Sequence, residues 1–247
     1  MKIALLGYGK MGKEIEKLAL EKGHSMILKV DVDNAANFLI SDLTKADAAI
    51  EFSTPNSVYN NIMKCFETNV PVVVGTTGWF DKLEEVKKIC KEKNQTIFYS
   101  SNYSIGVNIF FELNKKLAQM MNKQNNYDVA IEEIHHTQKL DAPSGTAIAL
   151  ANDIIQNFDK KKQWQLAVDR QQLENKIQNQ SDKILITAIR KENIPGTHTI
   201  KYESSVDSIE IKHTAHNRKG FAVGALMAAE WIVGKKGTFG MQDLLKL

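Results

Sequence analysis

Cysteine and long apolar runs are both scarce in this chain of 247 residues. It has two cysteines, Cys65 and Cys90, in stretches of helical pattern, which argues against a disulfide framework and fits a reducing cytoplasm. No apolar run approaches the roughly eighteen residues of a membrane span. The N-terminus enters a strand pattern at once, so we expect no signal peptide. These absences favour a cytoplasmic protein without a membrane partner.

A strong excess of one charge is also missing. The 32 Lys and Arg residues nearly balance the 29 Asp and Glu residues, leaving a net charge of +3. Such a small charge predicts no nucleic-acid partner, and the basic run 160–162 is interpreted as a solvated surface. The chain is long enough for one large domain or two modest ones with a substantial core.

A glycine-rich turn lies near the N-terminus. The apolar run Lys2–Leu6 predicts a buried strand, and Gly7-Tyr-Gly-Lys-Met-Gly12 leads from it into a helical pattern. This is the G-x-G-x-x-G fingerprint of dinucleotide-binding proteins in its strand–turn–helix context. Gly7 permits the tight turn, Gly9 lets the backbone approach a pyrophosphate, and Gly12 allows close helix packing. The alternative is a glycine-rich turn that binds nothing.

The next predicted strand bears on the choice of cofactor. It ends in Asp31, about twenty residues after the turn, where a carboxylate binds the ribose hydroxyls of NAD(H). The same carboxylate would repel the 2′-phosphate of NADPH, and Val32 offers no guanidinium to neutralise it. Lys10 is the one nearby cation that the sequence identifies. We therefore expect NADH to be preferred and NADPH to be usable but weaker.

Strand and helix patterns alternate through the first hundred residues. Apolar strands are predicted near residues 2–6, 26–31, 47–51, 71–74 and 96–99. This alternation predicts an α/β domain with a doubly wound parallel sheet, in which ligands lie beyond the carboxyl ends of the strands. Small polar turns follow the later strands at 52–55, 75–78 and 100–104, either as ligand contacts or as ordinary loops.

The remaining chain has a different pattern and predicts three blocks overall. Residues 1–104 form the dinucleotide-binding Rossmann domain, 105–215 an α+β domain for substrate binding and oligomerisation, and 216–247 a C-terminal helical segment that returns to and completes the first domain. In the second block we predict a helix from residue 105, a helix over 144–156, and strands over 127–134, 183–190, 197–203 and 207–213. The polar stretch 157–182 stays unassigned between helix and loop.

The segment Glu133-Ile-His-His-Thr-Gln-Lys-Leu-Asp-Ala-Pro-Ser-Gly-Thr-Ala147 carries the chemistry. The imidazoles of His135 and His136 titrate near neutrality, and Lys139 adds a positive charge or a proton donor. A helix pattern starts after Pro143, and the free N–H groups of its first turn bind carboxylates or phosphates. Taken singly, these features describe a structural histidine pair and a helix cap. Together they predict a site for an anionic molecule that undergoes proton chemistry.

The chain resembles the dihydrodipicolinate reductase family over nearly its whole length. Six segments carry the resemblance besides the glycine-rich turn: Glu51–Pro55, Val74–Gly78, Ser101–Asn108, His135–Thr146, Pro195–Thr199 and Ile209–Arg218. The resemblance implies NAD(P)H-dependent reduction of 4-hydroxy-tetrahydrodipicolinate (also called dihydrodipicolinate) to tetrahydrodipicolinate in the diaminopimelate route to lysine. It also implies a homotetramer that binds a small anionic dicarboxylate, with no metal.

The resemblance also implies residue roles. His135 matches the family's proton donor and acceptor, Lys139 its proton donor, and His136 a substrate-binding residue. Gly145 and Thr146 match the pair that holds a substrate carboxylate. The cofactor contacts match Gly7, Tyr8, Gly9, Lys10, Met11, Gly12, Asp31, Gly75, Thr76, Thr77, Ser100, Ser101, Asn102 and Tyr103.

Three departures from the family pattern bear on cofactor preference. The glycine-rich turn is one residue shorter, Val32 replaces an arginine, and Thr197 replaces a common glutamate. Two other classes compete: a two-domain Rossmann oxidoreductase that acts on a different small acid, and a non-catalytic dinucleotide sensor. A sensor does not need a proton donor and an anion clamp in one loop, so the His135 segment counts against it.

Overall fold

The computed structural model describes residues 1–34, 38–167, 182–217 and 219–247. Their strands are β1 (Lys2–Leu6), β2 (Ser25–Val30), β3 (Ala48–Glu51), β4 (Val72–Val74), β5 (Thr96–Tyr99), β6 (Asp128–His135), β7 (Gln163–Leu166), β8 (Lys183–Arg190), β9 (Gly196–Glu203), β10 (Ser208–Ala215) and β11 (Gly237–Phe239). Their helices are α1 (Lys10–Glu21), α2 (Ile40–Leu43), α3 (Val58–Glu67), α4 (Leu83–Glu92), α5 (Ile105–Met121), α6 (Gly145–Asn157), α7 (Lys219–Ile232) and α8 (Met241–Leu245).

The chain divides into two compact units. Unit 1 comprises Met1–Asn108 and Lys219–Leu247, and unit 2 comprises Ile109–Arg218. Unit 1 therefore contains both ends of the chain, and α5 begins in unit 1 and ends in unit 2.

Unit 1 contains a six-stranded sheet in the order β11-β5-β4-β3-β1-β2, and every pairing in it is parallel. The central strands are apolar on both faces because helices cover both sides, as all-parallel sheets require. On one face α1 and α7 pack together and α7 packs on β3, β4 and β5. The predicted α/β class, with a Rossmann domain that the C-terminal helix completes, is confirmed.

The strand β11 was not predicted, since residues 216–247 were interpreted as helical. Gly237–Phe239 instead pairs in parallel with β5 and adds an edge to the sheet. The Gly237 N–H donates to the Gln95 carbonyl at 2.9 Å, which starts the pairing. Three residues are too few to show a strand periodicity, and the apolar helix pattern before them dominates the segment.

Unit 2 contains a mixed five-stranded sheet in the order β10-β9-β6-β8-β7. β6 and β7 each pair in parallel with β8, while β9 is antiparallel to both β6 and β10. Side chains of α5 and α6 form a core with one face of this sheet. The four strands predicted here are present. The unassigned stretch 157–182 supplies β7, and its residues 168–181 lie outside the described part of the chain.

Two smaller expectations concern redox state and membranes. Cys65 and Cys90 are both buried free thiols, as a chain without a disulfide framework requires. Among the described residues, no helix combines the length and the apolar character needed to cross a membrane.

Candidate active site

Strand β6 presents two titratable side chains on its buried face. Alternation along the strand places Glu133 and His135 on the same side, with exposed fractions of 0% and 8%. The His135 Nδ1 and the Glu133 Oε2 are hydrogen-bonded. This bond fixes the imidazole and leaves Nε2 as its outward nitrogen. Gly196 lies beside Nε2, since a Cβ added there would be only 2.9 Å from that atom.

The second oxygen of Glu133 has two further donors. The Ser144 N–H donates to Oε1 at 3.2 Å, and the Arg190 Nη2 donates to the same atom at 3.0 Å. Burial alone would raise the pKa of Glu133, but the hydrogen bonds and charges of His135 and Arg190 outweigh it and lower that pKa. Glu133 is therefore an ionised carboxylate at neutral pH.

Arg190 also holds the loop that carries Lys139. Its Nη2 donates to the Asp141 carbonyl at 2.7 Å, and its Nε donates to the Lys139 carbonyl at 3.3 Å. The Lys139 ammonium pairs with the Asp141 carboxylate at 2.9 Å and lowers the pKa of that carboxyl. Lys139 is thus fixed through its backbone, while its side chain pairs with an exposed partner.

His198 joins this group from β9. Its ring centroid lies 5.1 Å from that of His135 in an edge-on arrangement, and its Nε2 is 3.0 Å from the Ser144 Oγ. Burial and the nearby His135 lower the pKa of His198 to about 4, so its ring is neutral at pH 7. Glu133, His135, Ser144, Arg190 and His198 are called the His135 cluster below.

The start of α6 borders the His135 cluster. Ser144 is the N-cap, and its Oγ accepts from the Ala147 N–H at 3.2 Å. Gly145 and Thr146 are the first two helical residues, whose N–H groups have no partner within a helix. A Cβ on Gly145 would meet nothing within 4 Å, so a ligand has access to this end. His136 is half-buried, and its Nδ1 has no hydrogen-bond partner among the described residues.

The structure therefore brings the sequence-predicted residues of unit 2 into one place. It adds three residues to which the sequence analysis assigned no role: Glu133, Arg190 and His198. The spacing of Glu133 and His135 on a predicted strand was a usable signal, because residues two apart share a face. His198 lay in a segment already noted for its family resemblance, but its register opposite Glu133 required the sheet.

The sequence analysis predicted no metal site, but three side chains of the His135 cluster could in principle act as metal ligands. Among the described residues, Glu133, His135 and His198 place ligand atoms within 4.8 Å of one another. The Glu133 carboxylate already accepts from His135, Ser144 and Arg190. A metal ion would have to displace the Arg190 guanidinium, whose fixed positive charge disfavours a second cation. The absence of a metal stays a prediction.

Unit 1 positions the glycine-rich turn between β1 and α1. Gly7 has a φ of +105°, and a Cβ there would lie 2.1 Å from the Phe52 carbonyl oxygen. A Cβ on Gly12 would lie 2.4 Å from the Gly7 carbonyl oxygen, whereas one on Gly9 would meet nothing within 4 Å. Gly9 is the N-cap of α1 and has no side chain to cover the first-turn amides. These amides can therefore donate hydrogen bonds to a pyrophosphate.

Asp31 and Tyr8 lie on the predicted adenosine side of this turn. The Asp31 Oδ1 accepts from the Val32 N–H at 2.8 Å, and Val32 is 78% exposed. Tyr8 donates its hydroxyl to Glu16, and the Lys29 ammonium lies 4.9 Å from the Tyr8 ring centroid. Lys29 also pairs with Glu16 at 3.1 Å. Lys10 is thus not the only cation near the turn.

The later turns of unit 1 lie at the carboxyl edge of the same sheet. A Cβ on Gly75 would overlap the Phe52 ring, and the Thr76 Oγ1 accepts from the Ser53 N–H at 2.8 Å. Of the other predicted contacts in these turns, Thr77 and Ser101 are exposed. In the glycine-rich turn, Lys10 is exposed and Met11 is half-buried. Ser100 and Asn102 hydrogen-bond each other.

Tyr103 differs from the other predicted cofactor contacts. Its side chain is 2% exposed, and its hydroxyl donates to the Val74 carbonyl at 2.7 Å. Its backbone carbonyl packs against Gly224 of α7, where a Cβ would be 1.8 Å away. The Tyr103 side chain therefore belongs to the core and is not available to a ligand.

Glu51 is a buried carboxylate at the end of β3 that sequence reasoning did not single out. Its Oε1 accepts from the Ser53 N–H and from the Asn61 Nδ2, both at 3.2 Å. Its Oε2 is buried and has no partner among the described residues. Burial raises the pKa of Glu51 above its ordinary value of 4.5.

A raised pKa in the folded state predicts how stability depends on pH. The contribution of Glu51 to the free energy of unfolding is fully present below pH 4.5. It is lost as the pH rises through the higher pKa that Glu51 has in the folded state. Glutamine does not titrate, so the Glu51→Gln variant should not lose stability in this way. Between about pH 5 and pH 8 we therefore expect the Tm of the wild type to fall more than that of the variant. Thermal unfolding measures it, with exposed Glu67→Gln as the control. Parallel Tm curves for wild type and Glu51→Gln would contradict the assignment.

Two family models cover nearly the whole chain. The model described as "Dihydrodipicolinate reductase, N-terminus" matches residues 1–103, and that described as "Dihydrodipicolinate reductase, C-terminus" matches residues 106–245.

Relatives and solved structures agree with these matches. A 4-hydroxy-tetrahydrodipicolinate reductase of Christiangramia forsetii is 49% identical over 99% of this chain and 98% of its own length. One of Methanoregula boonei is 36% identical over 82% of this chain and 76% of its own length. The structure of a dipicolinate-bound dihydrodipicolinate reductase from Paenisporosarcina sp. TG-14 matches with a TM-score of 0.76, at 24% identity, over 98% of each chain, which supports the fold. The expected resemblance is confirmed: this chain belongs to the dihydrodipicolinate reductase family of oxidoreductases.

Proposed function

We propose that this protein reduces 4-hydroxy-tetrahydrodipicolinate to tetrahydrodipicolinate with NAD(P)H, in the diaminopimelate route to lysine. Membership of the family and curated relatives of that name support the proposal. The structural observation that carries it is the Glu133–His135 pair beside the open start of α6. A proton-handling group and an anion-binding helix end then lie within one hydrogen-bonded cluster.

The overall reaction sets what the protein must supply. The substrate loses its hydroxyl and a hydrogen of the adjacent ring carbon as water. The carbon that carried the hydroxyl then gains a hydride, and the adjacent carbon gains a proton. The dinucleotide supplies the hydride when it is bound. The chain's own residues must hold the two carboxylates, orient the ring and deliver the proton.

Unit 2 provides groups for each of these tasks. We assign proton delivery to His135 through Nε2, since Nδ1 is occupied by Glu133. Lys139 is the second proton donor, and the N–H groups of Gly145 and Thr146 anchor one substrate carboxylate at the helix start. His136, whose Nδ1 has no protein partner among the described residues, binds the substrate as a further polar contact.

Unit 1 provides the dinucleotide contacts. Gly9 leaves room for the pyrophosphate above the first turn of α1, and Asp31 accepts hydrogen bonds from the ribose hydroxyls. Gly75, Thr76, Thr77, Ser100, Ser101 and Asn102, with the backbone of Tyr103, complete this edge on the nicotinamide side.

The test of this function is substrate-dependent cofactor oxidation. Purified protein is mixed with NADH or NADPH, and the product of dihydrodipicolinate synthase is added freshly made. We expect loss of reduced cofactor only when that product is present. Folded protein that oxidises neither cofactor would refute the proposed reaction. The alternatives would then be an oxidoreductase that acts on a different small acid and a dinucleotide sensor.

For cofactor choice we expect kcat/KM to be higher with NADH than with NADPH. Asp31 would repel a 2′-phosphate, and the nearby Lys29 is already paired with Glu16. Asp31→Ala should narrow or reverse the difference in kcat/KM between NADH and NADPH, because it removes that repulsion. The measurement is kcat/KM for both cofactors in wild type and variant, with exposed Asp33→Ala as the control. A wild type that clearly prefers NADPH would show that Lys10 or Lys29 dominates the adenosine pocket.

We also propose that the protein is a cytoplasmic homotetramer, as the family resemblance implies. In the structure of the single chain, β10 is an edge strand of the unit 2 sheet, and Ile209 on it is 39% exposed. We expect light scattering to give about four times the chain mass of 27.8 kDa. A mass that stays near that of one chain across protein concentrations would refute the assembly.

A further inference from the structure

We propose that Glu133 is a positioning residue that aligns both proton-handling groups at once, His135 directly and Lys139 through Arg190. The inference rests on the proposed function, because it concerns how the proton is delivered in that reaction. It adds three residues to the machinery, to none of which the sequence analysis assigned a role: Glu133, Arg190 and the neutral His198.

The first half of the argument is the division of labour between the two Glu133 oxygens. Oε2 is bonded to the His135 Nδ1, and Oε1 accepts from the Ser144 N–H and the Arg190 Nη2. A carboxylate at Nδ1 requires a hydrogen on that nitrogen, so Nε2 becomes the atom that exchanges protons. With all three donors in place, the carboxylate has little freedom to turn. The orientation of the His135 ring is fixed with it.

The second half is the reach of Arg190 into the loop. The same Nη2 that bonds Glu133 donates to the Asp141 carbonyl, and Nε donates to the Lys139 carbonyl. The planar guanidinium thus connects one carboxylate with two loop carbonyls in a fixed geometry. Lys139 is therefore held at a set place relative to His135, although its own side chain is only ion-paired to Asp141.

The charges around His135 support a positioning role for this cluster. The groups bonded to or packed against the His135–Glu133 pair are the neutral His198 on β9 and the Arg190 cation on β8. Glu133 is the only anion among these four side chains, and it contacts both His135 and Arg190. Removing its charge leaves both Arg190 and the His135 Nδ1 without a carboxylate partner.

A matched pair of substitutions on β6 tests the proposal. Glu133→Gln keeps the shape and removes the charge, while Glu132→Gln makes the same change on the neighbouring residue of the opposite face. We expect Glu133→Gln to lower kcat about 100-fold, the scale of a misplaced proton donor, with the KM for NADH unchanged. The solvent isotope effect on kcat should rise in this variant and the primary effect from deuterated NADH should shrink, because proton delivery becomes limiting. Glu132→Gln should match the wild type.

A second variant keeps the test decisive if Glu133→Gln does not fold. Arg190→Lys retains the positive charge but cannot bridge Glu133 and two carbonyls, so it should lower kcat about tenfold with the same isotope signature. A folded Glu133→Gln with near-normal kcat, or unchanged isotope effects in both variants, would overturn the positioning role. A wild type with no substrate-dependent turnover would instead refute the proposed function, and the two failures are thereby distinguished.

Discussion

Replacing His135 by Gln should lower kcat about 10²–10⁴-fold, the usual cost of losing a positioned proton donor. Lys139→Ala should have an effect in the same range. The Kd for NADH should not change in either variant, because the glycine-rich turn belongs to unit 1 and both substituted residues belong to unit 2. Steady-state kinetics and a fluorescence titration of NADH measure the two quantities separately.

Two controls separate proton delivery from general damage. Thr146→Val keeps the N–H group and removes the hydroxyl at the helix start. It should raise the KM for substrate about fivefold with little change in kcat, as expected when a ground-state hydrogen bond of ~1 kcal/mol from that hydroxyl is lost. Lys123→Ala removes an exposed lysine in the turn after α5 and should behave as wild type. If Lys139→Ala kept a near-normal kcat, Lys139 would be a surface charge and no longer an acid.

Replacing Gly7 by alanine should lower stability, whereas replacing Gly9 by alanine should lower the affinity for NADH. Gly7→Ala places a Cβ 2.1 Å from the Phe52 carbonyl at a φ of +105°, so we expect a loss of stability of several kcal/mol, beyond the ~1–3 kcal/mol of ordinary overpacking. Gly9→Ala meets no protein atom within 4 Å, so its Tm should equal that of the wild type. The new methyl group would instead occupy the path of the pyrophosphate.

The affinity for NADH then distinguishes the two roles. We expect the Kd of Gly9→Ala to rise at least about tenfold, equivalent to ~1.4 kcal/mol, in a fully folded protein. Thermal unfolding and NADH titration on the same samples provide both values. Normal NADH binding by Gly9→Ala would mean that the turn does not hold the pyrophosphate, whatever the behaviour of Gly7→Ala.

The candidate site shows which residues a sequence can and cannot reveal. His135, Lys139 and Thr146 lie within one short segment, so their proximity is already implied by the chain itself. Arg190 is brought opposite His135 by the pairing of β6 with β8, and His198 opposite Glu133 by the pairing of β6 with β9. Strand register depends on packing across the whole sheet, and one sequence does not specify it.

The strands of the fold also include some that the sequence predicts and some that it does not. The buried strands of unit 1 are continuous apolar runs, which made them recognisable, and the glycine-rich turn fixed the connection from β1 to α1. The two strands that were missed, β7 and β11, are short and lie at sheet edges. An edge strand of three or four residues shows no clear alternation, so only its pairing partner reveals it.

In the proposed reaction a hydride passes from the dinucleotide to the substrate ring, and a proton comes from the His135 cluster. The most direct measurement uses NADH with deuterium at both hydrogens of nicotinamide C4 and analyses the product by mass spectrometry. We expect tetrahydrodipicolinate that carries one deuterium from the cofactor, formed at a much lower rate by His135→Gln. Product without the label, or labelled product formed equally fast by His135→Gln, would contradict it.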